Sequence, residues 1–412
     1  MKVSVLTLGC KVNQSESSII EGNLKKLGYS IVSLSEHPDY TVVNTCAVTS
    51  KSDYQSRQLI RRAVRSGARV IVTGCYSQLR PNDIRDIGGI FSIVENNKKM
   101  SIINMLTDNI LSATYSYSSR SRPYLKVQEG CNFACTYCIV PLARGKSVSL
   151  DVSEVIRQAN EFEASGYNEI VLTGIHLGSY GYDLRTRTRL SALLKTLLKK
   201  TKIHRIRLSS IEINEVDDEL IGILKEQRVY KHIHLPLQSG DDAVLRLMNR
   251  RYTSDVYVST VENIIKNVPD IAIGTDVIVG FPGEGDKEFL NTKELLSSMP
   301  IAYMHIFPFS SRPNTLASKM SMQNTPSVKR ERFNELNALN IKKKRAFMLS
   351  QINKTLDIII EEHCPENISS GTSNNYLKVK IPSRMYPKRT LVYVRVSGIE
   401  GNILEGEPIE KL

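Results

Sequence analysis

The sequence lacks several features, and each absence narrows the class of protein. It has no run of about 18 consecutive apolar residues, which excludes a membrane-spanning helix by composition alone. Residues 1–6 pass directly into a strand-like run, so we expect no signal peptide. Acidic residues are in deficit, with 42 Asp and Glu against 55 Lys and Arg, a net charge of +13. That charge favours a polyanionic partner such as a nucleic acid, with an unspecific basic surface as the alternative.

Cysteine is also scarce, and three of the seven cysteines lie within eight residues: Cys131, Cys135 and Cys138. Thiolates are the soft ligands that hold zinc or iron–sulfur clusters. The fourth cysteine or histidine that structural zinc usually requires is lacking nearby. A cluster with one open iron is therefore favoured over buried cysteines or a zinc site with a distant ligand. We expect a reducing cytoplasm rather than disulfides.

The first hundred residues alternate strand-like and helical patterns. Strand-like runs lie at residues 3–8, 41–44 and 69–73. Helical patterns follow them at residues 14–27, 52–65 and 79–87. This alternation predicts a parallel α/β sheet, whose neighbouring strands end at one edge. One cysteine follows each strand, so Cys10, Cys46 and Cys75 can converge there, with three ordinary buried cysteines as the alternative.

After the cysteine loop, a βα repeat of about six units predicts a partial or full barrel. Its strand-like runs lie at residues 169–173, 205–208, 232–235, 271–279 and 303–307. Helical patterns between them include residues 153–165, 191–199 and 288–298. Polar and glycine-rich segments follow the strands, at residues 173–178, 209–212, 237–240 and 280–284. These segments mark the predicted catalytic rim, although each one alone is equally consistent with a simple turn.

Two kinds of charged or titratable side chain near the predicted rim have more than one interpretation. Arg144, just after the cysteine loop, either pairs with a carboxylate or phosphate or lies solvated at the surface. The histidines near the strand ends are expected to be packed or hydrogen-bonded rather than metal ligands, because the clusters have their thiolates. These histidines are His176, His232, His234 and His305.

The tail of the chain changes character. Residues 355–362, 376–381 and 391–396 alternate apolar and polar side chains between Gly, Pro and Ser, which predicts a small antiparallel β-barrel. A basic helical pattern, from residue 325 to near residue 350, precedes it. We assign six basic side chains to RNA phosphate contact, with a solvated basic face as the alternative. They are Lys342, Lys343, Arg345, Lys378, Lys380 and Lys388.

The spacing Cys131-x3-Cys135-x2-Cys138, with Tyr137 before the last cysteine, resembles the signature of the radical S-adenosylmethionine (SAM) enzymes. The resemblance implies that these thiolates hold a [4Fe–4S] cluster whose open iron binds the methionine moiety of SAM. One electron then cleaves the S–C5′ bond and releases a 5′-deoxyadenosyl radical. Tyr137 is implied to lie near the adenine. The other residues expected to contact SAM are Thr173, Gly174, Ser210, Glu212 and Gln238.

Three further segments, at residues 7–17, 44–49 and 73–75, resemble the amino-terminal domain of the methylthiotransferases. The resemblance implies a second [4Fe–4S] cluster on Cys10, Cys46 and Cys75, whose open iron carries the sulfur to be transferred. One SAM molecule would donate a methyl group to that sulfur. A second would yield the radical that removes a substrate hydrogen. The tail resembles the RNA-binding TRAM module of the same family.

These resemblances divide an α/β chain into three predicted domains. They are residues 1–112 with the auxiliary cluster, residues 118–345 as the radical SAM partial barrel, and residues 350–412 as the TRAM-like β-barrel. The first boundary falls in a stretch rich in Ser and Tyr with few large aliphatic side chains, at residues 112–121.

The segment Gly-Cys-Lys-Val-Asn-Gln at residues 9–14 bears on the substrate. It resembles most the branch that methylthiolates C2 of N6-threonylcarbamoyladenosine at position 37 of tRNA, in the anticodon loop. Three alternatives remain: the N6-isopentenyladenosine branch, the branch acting on a ribosomal-protein aspartate, and a non-enzymatic iron–sulfur RNA-binding protein. The family also implies a flavodoxin- or ferredoxin-type electron donor and a sulfur donor. We expect no membrane partner and a cytoplasmic location.

Overall fold

The computed structural model describes residues 1–107 and 120–409. The strands of the first domain are β1 (Lys2–Thr7), β2 (Ser30–Ile31), β3 (Tyr40–Thr45), β4 (Arg69–Gly74) and β5 (Ile90–Ile93). Its helices are α1 (Lys11–Lys26), α2 (Ser50–Arg65), α3 (Cys75–Leu79), α4 (Pro81–Arg85) and α5 (Ser101–Leu106). The strands form one parallel sheet in the order β2-β1-β3-β4-β5. The predicted parallel α/β domain is confirmed.

The central strands of this sheet are apolar on both faces, as a parallel sheet covered on both sides requires. Val43 and Val72 are completely buried in one apolar cluster. Val42 and Ile71, their sequence neighbours, are completely buried in a second cluster on the opposite face. Burial on both faces fixes β3 and β4 in register, so the loops that leave their carboxyl ends start side by side.

The second domain contributes strands β6 (Tyr124–Lys126), β7 (Gln128–Glu129), β8 (Val148–Ser149), β9 (Glu169–Thr173), β10 (Arg205–Leu208), β11 (His232–His234), β12 (Ala272–Val279) and β13 (Tyr303–Pro308). Its helices are α6 (Val140–Arg144), α7 (Val152–Ala164), α8 (Leu190–Lys200), α9 (Asp218–Leu224), α10 (Asp242–Leu247), α11 (Ser254–Asn267) and α12 (Asp286–Ser298). Six parallel strands form two sheets, β10-β9-β6 and β11-β12-β13. The prediction left a partial or a full barrel open, and the structure has the partial form.

The strands of this barrel separate apolar from polar side chains by alternation. Ile170 and Leu172 of β9, and Ile206 of β10, are buried in the main hydrophobic core against the helices. The alternate positions, such as Glu169 and Arg207, lie on the opposite face of the sheet, toward the barrel interior. This interior is therefore lined by buried charged side chains, which an ordinary structural core would exclude.

A long helix, α13 (Pro326–Leu349), leads to the last domain. The strands there are β14 (Thr355–Cys364), β15 (Ile368–Ser373), β16 (Lys378–Ile381), β17 (Leu391–Glu400) and β18 (Ile403–Ile409). They close into a barrel in the order β14-β15-β16-β18-β17. The predicted small barrel is confirmed, with one correction: β16 and β18 pair in parallel, because the chain crosses the barrel between them.

The predicted linker at residues 112–121 lies outside the described residues, apart from its last two residues, 120 and 121. Helix α13 ends at Leu349, next to the start predicted for the last domain, and the three domain ranges stay predictions. Within the described parts of the chain, every helix is too short or too polar to cross a membrane.

Candidate cluster and cofactor sites

The amino-terminal cysteines lie together at the carboxyl edge of the first sheet. Cys46 and Cys75 directly follow β3 and β4, and Cys10 lies just beyond the end of the neighbouring β1. Cys46 and Cys75 are buried, whereas Cys10 is exposed. Burial raises the pKa of both buried thiols, and the charge of Cys10 raises it further. The strand order therefore brings three thiols from distant parts of the sequence into one electrostatically interacting group.

Two glycines allow the cysteine loops to approach one another. Gly9 has a φ of +109°, and a Cβ built on it would lie 2.9 Å from the Cβ of Cys46. Gly74 has a φ of +105°, and its Cβ would lie 2.3 Å from the carbonyl oxygen of Thr45. Both conformations favour glycine, and both contacts exclude any side chain. A larger residue at either position would push the cysteine loops apart.

A buried charged network links the amino-terminal triad to the loop of the second triad. Glu16 of α1 pairs with Arg144 at 2.9 Å, with Lys126 at 3.1 Å and, at closer range, with Lys99. Arg144 also contacts Glu129 at 2.7 Å. Of the two interpretations of Arg144, pairing with a carboxylate is confirmed. Because Arg144 ends the helix that follows the second cysteine loop, this network connects the two triads across the domain junction.

The network places positive charge beside the amino-terminal cysteines. Burial opposes ionisation of Glu16, but Lys99, Lys126 and Arg144 outweigh it and hold the pKa of this carboxyl well below its usual range. The same Arg144 guanidinium offsets part of the effect of burial on the Cys75 thiol, whose pKa stays above its ordinary value. A cationic surrounding of this kind stabilises thiolates, which are the metal-binding form of cysteine.

We expect Glu16→Gln to destabilise the protein by about 3 kcal/mol, because the change leaves two buried cations, Lys99 and Arg144, and the partly buried Lys126 around a neutral amide. The measurement is the free energy of unfolding in urea, with the cluster-loaded protein kept anaerobic. Glu219→Gln is the control, since Glu219 pairs with Lys195 on the surface. An unchanged unfolding midpoint for Glu16→Gln would show that the network is not needed at the junction.

The second triad lies on the loop between β7 and α6. The loop is held in place by backbone hydrogen bonds: Cys131 N donates to Gly145 O at 3.1 Å, and Cys138 N donates to Cys135 O at 3.1 Å. The backbone N–H of Phe133 donates to the Sγ of Cys131 at 3.4 Å. All three thiols are partly buried, on one short loop at the carboxyl ends of the barrel strands.

Two side chains from other loops contact the sulfurs of this triad. His176 Nδ1 lies 3.7 Å from Cys131 Sγ, and the opposite ring nitrogen lies 2.6 Å from Glu215. Arg250 donates a hydrogen bond to Cys135 Sγ at 3.4 Å and pairs with Glu212. Hydrogen bonds of this type to ligand sulfurs tune a bound iron–sulfur cluster.

The donor chemistry of both triads fits iron–sulfur clusters. Burial raises the pKa of the Cys135 thiol and raises that of Cys138 to about 12, so these thiols favour the protonated form until a metal displaces the proton. Among the described residues, only His234, Asp276 and His305 form a group whose possible ligand atoms all lie within 4.8 Å of one another. The sulfurs of each triad do not all lie within that distance of one another, so neither triad is arranged as a site for a single ion.

The residues predicted to contact SAM fall in three places around the rim. Tyr137 and Gln238 line one cavity of about 220 Å³. Thr173 is buried at the end of β9, and Gly174 packs so closely against Gln128 that its Cβ would lie 2.7 Å from the amide oxygen. The remaining two are apart from this cavity: Glu212 pairs with Arg250, and Ser210 is exposed. SAM contact by all six stays a prediction.

The basic side chains assigned to RNA differ in their availability. Lys378 pairs with Glu361, and Lys380 pairs with Glu400 and with Glu405 at 3.2 Å. Lys343 donates to the carbonyl oxygens of Ser297 and Met299, at the end of α12. Arg345, Lys342 and Lys388 are exposed, and the two lysines make no ion pair with another described residue. Lys342 and Lys388 are therefore the most accessible to phosphate.

The four histidines are hydrogen-bonded, as predicted. His232 contacts the Tyr303 hydroxyl at 2.8 Å, and His234 lies 2.9 Å from Asp276. His305 lies 3.2 Å from the same carboxylate. His176 contacts Cys131 and Glu215. These contacts place a polar chain of side chains in the barrel interior.

Several residues around the triads were not identified from the sequence. Arg250 and the His176–Glu215 pair reach the cysteine loop from distant segments, and Glu16 and Lys99 join across 83 positions. No local pattern reports such pairs. The one usable signal was Glu16 itself, because an acidic residue on the buried face of an amphipathic helix requires a cationic partner.

Two segments of the chain match known protein families. Residues 125–296 match the Radical SAM superfamily, and residues 2–94 match Uncharacterized protein family UPF0004. These two matches cover the second and first cysteine triads respectively. Radical SAM enzymes use SAM and a [4Fe–4S] cluster, so the predicted cofactors are confirmed at the level of the family.

Two full-length relatives and one solved structure are similar to this chain. "Threonylcarbamoyladenosine tRNA methylthiotransferase MtaB" of Aquifex aeolicus (strain VF5) is 39% identical over 92% of this chain and 96% of its own length. The protein of the same name from Bacillus subtilis (strain 168) is 38% identical over 92% of this chain and 89% of its own length. The radical SAM methyltransferase TsrM from Kitasatospora setae, at 13% identity, covers 77% of this chain and 76% of that chain with a TM-score of 0.58, which concerns the fold alone. The chain belongs to the radical SAM methylthiotransferase family of these two relatives.

Proposed function

We propose that this chain methylthiolates C2 of N6-threonylcarbamoyladenosine at position 37 of tRNA, with SAM as both methyl donor and radical source. The observation that carries the proposal is the pair of cysteine triads, which Arg144 and Glu16 connect through buried ion pairs. A methylthio transfer needs both clusters at one site, because the substrate must meet the radical and the sulfur without leaving the enzyme.

The cluster for SAM would be held by Cys131, Cys135 and Cys138, and the auxiliary cluster by Cys10, Cys46 and Cys75. SAM would supply the methyl group and the radical that breaks an unactivated C–H bond, and the auxiliary cluster would supply the sulfur. Arg250 and His176 direct polar atoms at the sulfurs of Cys135 and Cys131 in the second triad. Arg144 keeps positive charge beside Cys75 of the amino-terminal triad. The chain thereby provides each triad with its own electrostatic environment.

The substrate follows from three kinds of support. Both full-length relatives carry threonylcarbamoyladenosine and tRNA in their names. The net charge of +13 suits RNA. A loop adenosine is unpaired or easily unstacked, so presenting its C2 edge costs only a few kcal/mol. The isopentenyladenosine alternative has weaker support of the first kind, because the relative named tRNA-2-methylthio-N(6)-dimethylallyladenosine synthase is 29% identical to this chain, against 38–39% for these two relatives.

The partners belong to the same proposal. Exposed Lys342, Arg345 and Lys388 would contact phosphates around the anticodon loop, with Lys343, Lys378 and Lys380 in support. Cleavage of SAM requires an electron, which we assign to a flavodoxin- or ferredoxin-type donor. A separate sulfur donor would resupply the auxiliary cluster, and we place the enzyme in the cytoplasm with its tRNA.

The test offers the reconstituted enzyme two tRNAs that differ at position 37, one with threonylcarbamoyladenosine and one with isopentenyladenosine. Nucleoside mass spectrometry after an anaerobic reaction should find the 2-methylthio product on the first tRNA and none on the second. The selectivity arises because the threonylcarbamoyl group carries a carboxylate and a hydroxyl that polar side chains recognise. Product on only the isopentenyl tRNA would contradict the substrate and leave the reaction class intact. Absence of 5′-deoxyadenosine with either tRNA would favour a non-enzymatic RNA-binding protein.

A further inference from the structure

A cavity of about 690 Å³ lies where the three domains meet. Lys11 of the first domain, Arg207 of the central barrel and Tyr376 of the carboxy-terminal barrel all contribute to its wall. Small-molecule sites commonly measure roughly 300–1,000 Å³ and lie at domain interfaces. The size and the place of this cavity therefore suit a modified nucleobase with a bulky substituent.

Arg207 is the most unusual side chain of this wall. It is only 1% exposed, and its Nε lies 3.3 Å from a carboxylate oxygen of Glu169, whereas neither of its two Nη nitrogens meets hydrogen-bond geometry with another described residue. Its guanidinium lies 3.9 Å from the centre of the Tyr230 ring and 4.5 Å from that of Tyr376. The aromatic rings cover the faces of the guanidinium and Glu169 faces its Nε, which leaves the edge with the two Nη nitrogens, and their four N–H donors, for a further acceptor. Buried N–H donors without an acceptor require an explanation.

The charges around the cavity do not balance. Seven Lys or Arg side chains and two Glu side chains line it. Glu169, behind the wall, lies 3.3 Å from Arg207 but is also 3.9 Å from Arg205. Lys11 makes no ion pair with another described residue. Burial, reinforced by the charges of Arg207 and Lys11, holds the pKa of His232 well below its usual range. The wall carries a surplus of positive charge.

The cavity also lies next to the amino-terminal cysteine triad. Lys11 directly follows Cys10 in the chain. Tyr376 enters the barrel interior from a turn of the last domain, with a φ of +71° that is uncommon for a bulky residue. Its ring lies 4.5 Å from His232 and close to Arg207. A strained backbone conformation of this kind persists only where the surrounding structure stabilises it. Here it places the Tyr376 ring in the wall beside Arg207.

We propose that Arg207, with Lys11 beside it, binds the carboxylate of the N6-threonylcarbamoyl group and thereby sets the specificity for this nucleoside. The inference rests on the proposed function and identifies the side chains that recognise the substituent of the substrate nucleoside. A carboxylate matches the fork of an arginine with two parallel hydrogen bonds. An RNA phosphate belongs to a backbone that runs over the surface, where exposed Lys388 is available at the same cavity. Arg207 is too deeply buried for the backbone to reach.

The test measures binding to anticodon stem-loops that carry threonylcarbamoyladenosine as the free acid or as its neutral methyl ester. With wild-type holoenzyme, fluorescence anisotropy should show about tenfold or more weaker binding of the ester, since a charge-assisted pair is lost. Arg207→Met should bind both RNAs alike, with the affinity that the wild type has for the ester. Arg207→Lys retains the charge without the fork and should recover part of the difference.

Arg205→Met is the matched control, because Arg205 lies on the same strand but pairs with Asp357 and does not line the cavity. It should lower the unfolding midpoint and keep the discrimination between acid and ester. Equal weakening of both RNAs by Arg207→Met would identify a phosphate contact or a structural role and overturn the inference. A wild type that methylthiolates the tRNA but binds acid and ester equally would also overturn it, without affecting the proposed function.

Discussion

Replacing Cys131, Cys135 and Cys138 together by alanine is expected to abolish formation of 5′-deoxyadenosine and to remove one of the two clusters. The three thiols lie on one loop, and no other cysteine of the chain lies on it. Without thiolates, the loop has no soft ligand left for iron. The measurements are iron and sulfide content after anaerobic reconstitution, and chromatography of the nucleosides formed from SAM with dithionite.

Cys364→Ala is the control for this experiment. Cys364 ends β14 of the carboxy-terminal barrel and belongs to neither triad, so its loss should change neither iron content nor SAM cleavage. An unchanged iron content in the triple variant would contradict the assignment of these cysteines as ligands. Retained cleavage with reduced iron would instead assign SAM cleavage to the amino-terminal triad.

The strand positions were predictable because the parallel strands are rich in β-branched and other apolar residues and are bounded by turn-forming segments. The runs at residues 69–73 and 205–208 coincide with β4 and β10 to within one residue. The βα alternation also predicted that the three strands before Cys10, Cys46 and Cys75 are neighbours, and these strands lie side by side as β1-β3-β4. Physical rules of chain connection were sufficient here, since sequential parallel strands lie near one another and end at one edge.

Two strands of the last barrel were not predicted. β15 contains Ser369, Ser370 and Gly371, whose small polar side chains are typical of turns. β18 contains glutamates and a proline that weaken a strand pattern. Both are strands because the closed barrel supplies pairing partners, and this tertiary effect leaves no local trace. The parallel pairing of β16 with β18 was missed for the same reason.

The side chains that complete the sites could not be predicted from the sequence, for a different reason. Arg250 and Cys135 are 115 positions apart, and Arg205 meets Asp357 across 152 positions. Such pairs depend on how domains pack. Apart from Glu16, one more signal was readable in retrospect: β10 alternates arginine with apolar residues, as Arg205-Ile206-Arg207-Leu208, inside a run that was predicted to be a strand. Charged residues at alternate positions of a buried strand indicate a polar barrel interior.

Cys46→Ala is expected to eliminate the methylthio product and to leave SAM cleavage intact. Cys46 is 6% exposed at the end of β3, among the amino-terminal thiols and apart from the loop that carries the second triad. Its removal leaves Cys10 and Cys75, too few for a site-bound cluster, while Cys131 and its neighbours are untouched. The reaction with dithionite and SAM should therefore form 5′-deoxyadenosine, and mass spectrometry of the tRNA should find no 2-methylthio nucleoside.

Cys46→Ser separates ligand loss from a packing defect. Serine nearly preserves the volume of the thiol, and the neighbouring Ser56 hydroxyl, which bonds the Cys46 backbone at 2.9 Å, stays in place. A hydroxyl is a poor ligand for iron compared with a thiolate, so the serine variant should lose the product as completely as the alanine variant. Recovery of product by serine would make packing the role of Cys46. Complete loss of SAM cleavage in either well-folded variant would contradict the separation of radical formation from sulfur transfer, because that separation requires each triad to work without the other.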